Sequence, residues 1–66
     1  MDAVESVLQH PQQVVPEREG RGAYQSQLEL AGVRFLVRAI VNDRTDPAVV
    51  VTVYRTKRIS KYWRTT

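Results

Sequence analysis

The chain has 66 residues, no cysteine, a single histidine and a net charge of +3, from ten Lys and Arg against seven Asp and Glu. That length makes one domain, 1–66, which buries only ~60% of the surface its unfolded chain exposes and is marginal alone. Disulfides and thiolate metal sites are excluded, His10 alone cannot build a zinc site, no cofactor is expected, and no signal-like or bilayer-length apolar segment is present; the expectation is a cytoplasmic protein away from membranes, steadied by oligomerisation or a partner.

Met1 to His10 reads as a short helix. Asp2 followed by Glu5 has the spacing of a capping box, and Val4, Val7 and Leu8 share a face at helical spacing. Pro11 ends it, because the residue before proline is pushed out of the helical region. His10 then sits at the helix end, either as a solvated terminal residue or as a catalytic group. Gln12 to Val15 reads as a short extended piece. Pro16 to Gly22 is a polar loop without the Lys-Ser/Thr of a phosphate-cradling loop, so it serves as a connection with Arg21 as a phosphate contact.

Ala23 to Leu30 alternates. Tyr24, Ser26, Leu28 and Leu30 share one face and Ala23, Gln25, Gln27 and Glu29 the other, which describes a half-buried strand. Ala31-Gly32 is a two-residue hairpin turn. Val33 to Val41 follows with a fully apolar face and a mixed face of Arg34, Leu36, Arg38 and Ile40, as in a central strand. Arg34 and Arg38 either snorkel over their apolar neighbours or meet a ligand. Asn42 to Pro47 is a turn by composition. Ala48 to Thr56 is β-branched almost throughout and also reads as central, with Val50, Thr52 and Tyr54 on one face.

From Thr56 the pattern changes. Ile59, Tyr62 and Trp63 recur at spacings of three and four, which suits a helical turn; a fourth strand or an extended arm is the alternative. Residues 49–66 hold Arg55, Lys57, Arg58, Lys61 and Arg64 with no acid, a balance of +5, whereas residues 1–48 hold five arginines against seven acids, a balance of −2. That asymmetry points to RNA or another polyanion, or to an acidic protein segment, with a solvated basic tail as the plain alternative. The fold class is therefore α+β: a short N-terminal helix packed on a three- to four-stranded, mainly antiparallel sheet. One helix covers one face. The other, with Leu36, Ile40, Val50 and Tyr54, is covered either by the tail through Ile59 and Trp63 or by another chain.

One constellation carries chemistry. Metal-independent RNA cleavage needs a base for the ribose 2′-hydroxyl, a cation for the pentacoordinate phosphate and an acid for the leaving oxygen. Arg38, Tyr54, Arg55, Lys57 and Lys61 are the catalytic candidates, because neighbouring cations depress lysine and tyrosine pKa values. Arg21, Arg34, Arg58, Tyr62 and Arg64 are the nucleic-acid-binding candidates, Tyr62 and Trp63 by stacking on bases. Trp63 in so small a domain is more often core.

Val51-Thr52-Val53-Tyr54-Arg55-Thr56-Lys57-Arg58-Ile59-Ser60-Lys61-Tyr62-Trp63 resembles the closing motif of a family of small, mostly uncharacterised bacterial domains related to the RelE/ParE and BrnT-type toxins. Val7-Leu8-Gln9-His10-Pro11 and the loop ending Gly20-Arg21-Gly22 resemble the same family in the same order. The resemblance implies a compact helix-before-sheet fold close to that of RelE-like ribonucleases, a toxin–antitoxin pairing with a small antitoxin-like protein, and catalytic basic and aromatic groups on the sheet and near the C-terminus, matched here by Arg38, Tyr54, Arg55, Lys57 and Lys61. Relatives commonly carry a further helix, with His and Arg, before the segment that starts here at Met1; the expectation is a domain without it. The alternative function is a non-catalytic dimeric or partner-binding protein.

Overall fold

The period-two runs and the turns between them are realised as strands and hairpins in the computed structural model, which describes residues 3–65. The order is α1 (Ala3–Gln9), β1 (Gln13–Pro16), a 3-10 turn (Arg18–Gly20), β2 (Gly22–Leu30), β3 (Val33–Asn42), β4 (Val49–Thr56) and α2 (Ile59–Tyr62). The four strands form one antiparallel sheet in sequence order, β1-β2-β3-β4. This is the expected α+β arrangement of a short N-terminal helix and an open sheet.

The expected Asp2 cap lies outside the described residues. At its other end α1 closes where Pro11 demands: the His10 amide donates to the Ser6 carbonyl at 2.8 Å. Ala31 (φ 51°) and Gly32 (φ 78°) turn the chain between β2 and β3, both left-handed as a tight hairpin of matching twist requires. Glycine accepts that conformation freely, whereas Ala31 adopts it at a steric cost of about 1–2 kcal/mol. Gly20 is left-handed as well (φ 73°), a conformation that glycine adopts freely, and the Arg44 guanidinium lies against its open side, so the β1–β2 loop and the Arg44 side chain approach closely.

Residues paired across an antiparallel ladder point to the same side. One face therefore carries Tyr24, Ser26, Val37, Ala39 and Val41; the other carries Ala23, Gln25, Leu36, Arg38 and Ile40. α1 packs on β2 and β3 with Val7 buried, and the Gln12 amide that follows it donates to Ser26 Oγ at 3.1 Å. This places the helix on the Ser26 face. Val7, Ala23, Leu36, Val37, Ala39, Ile40 and Val41 form the core, all within 7% exposure. The core is thus concentrated on the two middle strands. A domain of this size has a total stability of only ~3–10 kcal/mol, so a single core truncation at about 2–5 kcal/mol approaches the whole.

Two expectations about β4 are corrected. It is an edge strand, and Val49, Val50, Val51, Val53 and Tyr54 remain 36–53% exposed. β-branched composition favours an extended backbone but does not supply a neighbour on each side. The chain after Thr56 turns into α2, so no described strand pairs with the outer side of β4. Secondly, the ladder shifts between Ile40 and Val41: Ile40 pairs with Thr52, but Val41 pairs with Val50. The extra residue, Val51, is a bulge, which reverses the alternation behind it. Val50 therefore joins Val53 on the helix face, and Val49 joins Thr52 and Tyr54 on the face that was expected to hold Val50.

Candidate nucleic-acid interface

Register brings four side chains into one row across the whole sheet. Gln13 pairs with Gln25, Gln25 with Arg38, and Arg38 with Tyr54, one residue from each strand on the face away from α1. Arg38 is 4% exposed. A buried guanidinium costs several kcal/mol unless it is paired and hydrogen-bonded, and the row supplies both. Its Nε donates to Gln25 Oε1 at 2.8 Å, its Nη1 donates to Tyr54 Oη, and its Nη2 meets Glu17 Oε2 at 3.0 Å. The carboxylate comes from the β1–β2 loop, where the Glu17 amide donates to the Arg21 carbonyl at 2.8 Å. Above the guanidinium lies Tyr62, its ring centroid 4.3 Å from the guanidinium carbon, with Tyr54 edge-on to Tyr62 at 6.3 Å. Desolvated cation–π contacts of this kind contribute ~2 kcal/mol.

The tail is held by the same row. Gln25 Nε2 donates to Gln13 Oε1 at 2.9 Å and to the Tyr62 carbonyl at 3.2 Å. The Arg64 amide donates to Gln13 Oε1 at 3.2 Å, and Gln13 Nε2 donates back to the Arg64 carbonyl. The chain leaves β4, passes over Arg38 as α2, and reaches β1 at Arg64. Residues 57–64 form a strap across the sheet, and the expected helical turn at Ile59 to Tyr62 is its middle. Among the described residues, no buried side-chain nitrogen or oxygen lacks a hydrogen-bond partner.

Lys57, Arg58, Lys61 and Arg64 are exposed along this strap. The Arg58 amide donates to Thr56 Oγ1 at 3.1 Å, fixing the corner, and Lys61 Nζ lies 5.3 Å from the Tyr62 ring centroid. Arg34 is exposed on the same face, two positions beyond the last β3–β4 pair, Leu36 with Thr56, at the end where Lys57 and Arg58 depart. Trp63 is half-buried in the strap.

The remaining candidates are elsewhere. Arg55 pairs with Val37 on the helix face, its guanidinium carbon 4.8 Å from the Phe35 ring centroid, so the sheet itself separates it from Arg38 and Tyr54. Arg21 lies at the opposite end of the sheet and pairs with Glu19 at 3.4 Å. His10 is exposed at the end of α1. The catalytic set is therefore divided: Arg38 and Tyr54 are engaged with each other beneath the strap, Arg55 is on the far face, and Lys57 and Lys61 are exposed on the strap. The described residues enclose no pocket and contain no group of three or more His, Asp or Glu placed to hold a metal. No helix among them is long and apolar enough to cross a membrane.

Gln13, Glu17 and Gln25 are the residues that sequence reasoning missed. Gln25 belongs to an alternating polar face that ordinarily faces water. Only its register opposite a buried arginine makes it an anchor.

Away from the strap, Tyr24 Oη donates to Asp43 Oδ2 at 3.2 Å. Burial, then this hydrogen bond and the carboxylate's charge, raise the Tyr24 phenol above its ordinary value of 10.0. No family model, curated protein or solved structure significantly matches the chain.

Proposed function

We propose that the strap is an RNA-binding surface, and that the protein acts in the cytoplasm as a RelE/BrnT-like, toxin-type domain that binds RNA without cutting it. The observation that carries this reading is the placement of Lys57, Arg58, Lys61 and Arg64, all exposed on a segment whose backbone is pinned at Tyr62 and Arg64. A pinned backbone presents its charges as a track. Four strands at ~4.8 Å spacing make that track ~14 Å wide, about four nucleotide rises along one strand. Arg34 extends it at the β4 end. The resemblance of residues 51–63 to the toxin-related closing motif supports the same ligand, and an acidic antitoxin-like protein would compete for the same charges.

Binding is favoured over cleavage because the groups chosen for cleavage are not assembled. Three donors of Arg38 are spent on Gln25, Tyr54 and Glu17, and Arg55 lies across the sheet.

The test is fluorescence anisotropy with a labelled single-stranded RNA across a salt series. About four neutralised phosphates give a slope of log affinity against log salt near −3, at ~0.7 per phosphate. The triple variant Lys57→Ala, Arg58→Ala, Lys61→Ala should lower the magnitude of that slope by about 2. Binding that is absent, or indifferent to salt, removes the proposal. Ribosome-bound and free messenger RNA incubated with the protein should stay intact; cleavage that disappears in Lys61→Ala would restore the nuclease reading.

A further inference from the structure

We propose that the strap is a charge-loaded clamp, which its own cations push off the sheet and which single-stranded RNA closes by neutralising them. Lys57, Arg58, Lys61 and Arg64 fall within residues 57–64, a segment that holds no acid. None of the four pairs with a carboxylate: the ion pairs among the described residues are Arg21 with Glu19 and Arg38 with Glu17. Lys57 and Arg58 stand four and three positions before Lys61, the spacings at which like charges repel across a helical turn. A fifth cation, Arg38, lies directly beneath. The Tyr62 ring is shared by two of these charges, with the Arg38 guanidinium carbon 4.3 Å from its centroid and Lys61 Nζ at 5.3 Å. Glu17 answers the charge of Arg38, and no described acid answers that of Lys61.

What opposes the repulsion is slight. None of residues 57–64 is buried, and only Ile59, Tyr62 and Trp63 are half-buried. α2 is a single turn of four residues, too short to persist by itself. The strap adds no strand to the ladder, so its far end is held by hydrogen bonds to Gln13 and Gln25 and by the stack of Tyr62 on Arg38. Its near end leaves β4 through a three-residue turn at Arg58 (φ −82°, ψ 62°), closed by the Ile59 amide donating to the Lys57 carbonyl at 2.9 Å. A segment tied in this way opens well below the free energy of the whole fold. In the closed state its four cations and Arg34 lie along one face, ready for a row of phosphates; in the open state they scatter. RNA therefore binds the closed state more tightly, and by the same factor it favours closure. The consequence is a pair of opposite signs. Removing a strap cation tightens the strap and weakens RNA binding, whereas an ordinary basic surface would show only the second.

The clamp deepens the RNA-binding reading and rests on it, so the experiment has arms with and without RNA. NMR-detected hydrogen exchange follows the Trp63 amide, which donates to the Ile59 carbonyl at 2.8 Å, and the Arg64 amide, which donates to Gln13 Oε1 at 3.2 Å. Without RNA, raising sodium chloride from about 20 mM to about 300 mM screens the repulsion and should increase the protection of both amides about two- to fivefold, with the β2–β3 amides unchanged. At about 20 mM salt, Lys57→Gln and Lys61→Gln should each raise that protection about twofold. Each should also lower the affinity for a single-stranded RNA of about eight nucleotides several-fold. Saturating the wild type with the same RNA should raise protection at both amides at least about tenfold. Protection that is indifferent to salt, or that Lys57→Gln does not raise, overturns the charge loading. Lys57 has no aromatic ring beside it among the described residues, so that variant decides even if Lys61→Gln suffers from losing its contact with Tyr62. RNA that binds without raising protection overturns the clamp and leaves the binding surface standing. RNA that does not bind removes both.

Discussion

β1 and β4 each pair on one side only, yet they differ in length and in what ties them down. β1 is four residues long and ends at Pro16, which has no amide hydrogen to offer. Its first residue, Gln13, is clasped by Arg64 of the strap. β4 runs for eight residues, is β-branched in most of them, and leaves its valines half in water. The chain's own tail ties down the first residue of β1 from the face of the sheet, although Val14 beside it stays 52% exposed. What distinguishes the two edges is where the tail goes, since it departs from β4 and is anchored at β1. The row from Gln13 to Tyr54 is the mechanical link between the two edges.

Cutting that link at its centre should have the largest effect. Arg38→Ala leaves Glu17, Gln25 and Tyr54 without their shared donor and removes the cation beneath Tyr62. The expected loss is ~3–5 kcal/mol, as for breaking a buried, hydrogen-bonded ion pair, which is enough to unfold much of a domain this small. Urea denaturation followed by circular dichroism measures it; a loss under ~1 kcal/mol would mean that the row is not what ties the strap to the sheet.

Gln13→Ala releases the tail from β1 more gently. It deletes both hydrogen bonds to Arg64 and one to Gln25 on a half-buried residue, for an expected ~1–2 kcal/mol. The discriminating readout is amide hydrogen exchange. Protection should fall at residues 62–64 and along β1 while the β2–β3 ladder keeps its own, which would make the two edges alike. Uniform loss across the sheet would show instead that the strap is not a separable unit.

The smallest expected effect concerns Tyr24, which pairs with Val14 of β1. Its folded-state value is raised above 10.0, so the neutral phenol is favoured by folding. The associated stability is present in full below pH 10 and is lost as pH rises through the folded value. The stability difference between wild type and Tyr24→Phe should therefore be constant at neutral pH, under ~1 kcal/mol, and should move against the wild type above pH 10. Thermal melts across that range check it; a difference that does not vary with pH would detach Asp43 from Tyr24.

Much of this organisation is legible in the residues themselves. The alternation of Ala23 to Leu30 and Val33 to Val41, the Ala31-Gly32 turn and the stop at Pro11 reappear as β2, β3, their hairpin and the end of α1. The three-and-four spacing of Ile59, Tyr62 and Trp63 reappears as α2. The candidate site is legible only in part. Lys57, Arg58, Lys61 and Arg64 announce a basic surface by composition, and the strap displays them. Arg38 and Arg55 look alike in sequence, each a cation in an apolar strand. One is buried beneath Tyr62 and the other stacks on Phe35 across the sheet, because the register pairs Arg38 with Tyr54 and so puts Arg55, the next residue of β4, on the opposite side.

Local preferences reach as far as the next few residues: they set which segments extend, where the chain turns, and how charge is distributed along it. Those are the properties that the sequence by itself determined here, since backbone sterics and side-chain alternation are short-range. Which residues share a row depends on register between strands up to some forty positions apart, and a single bulged residue, Val51, changes it for everything behind. Tertiary pairing alone therefore decided that Gln25 would hold Arg38, that Gln13 would hold the tail, and that the most β-prone stretch of the chain would lie at an open edge.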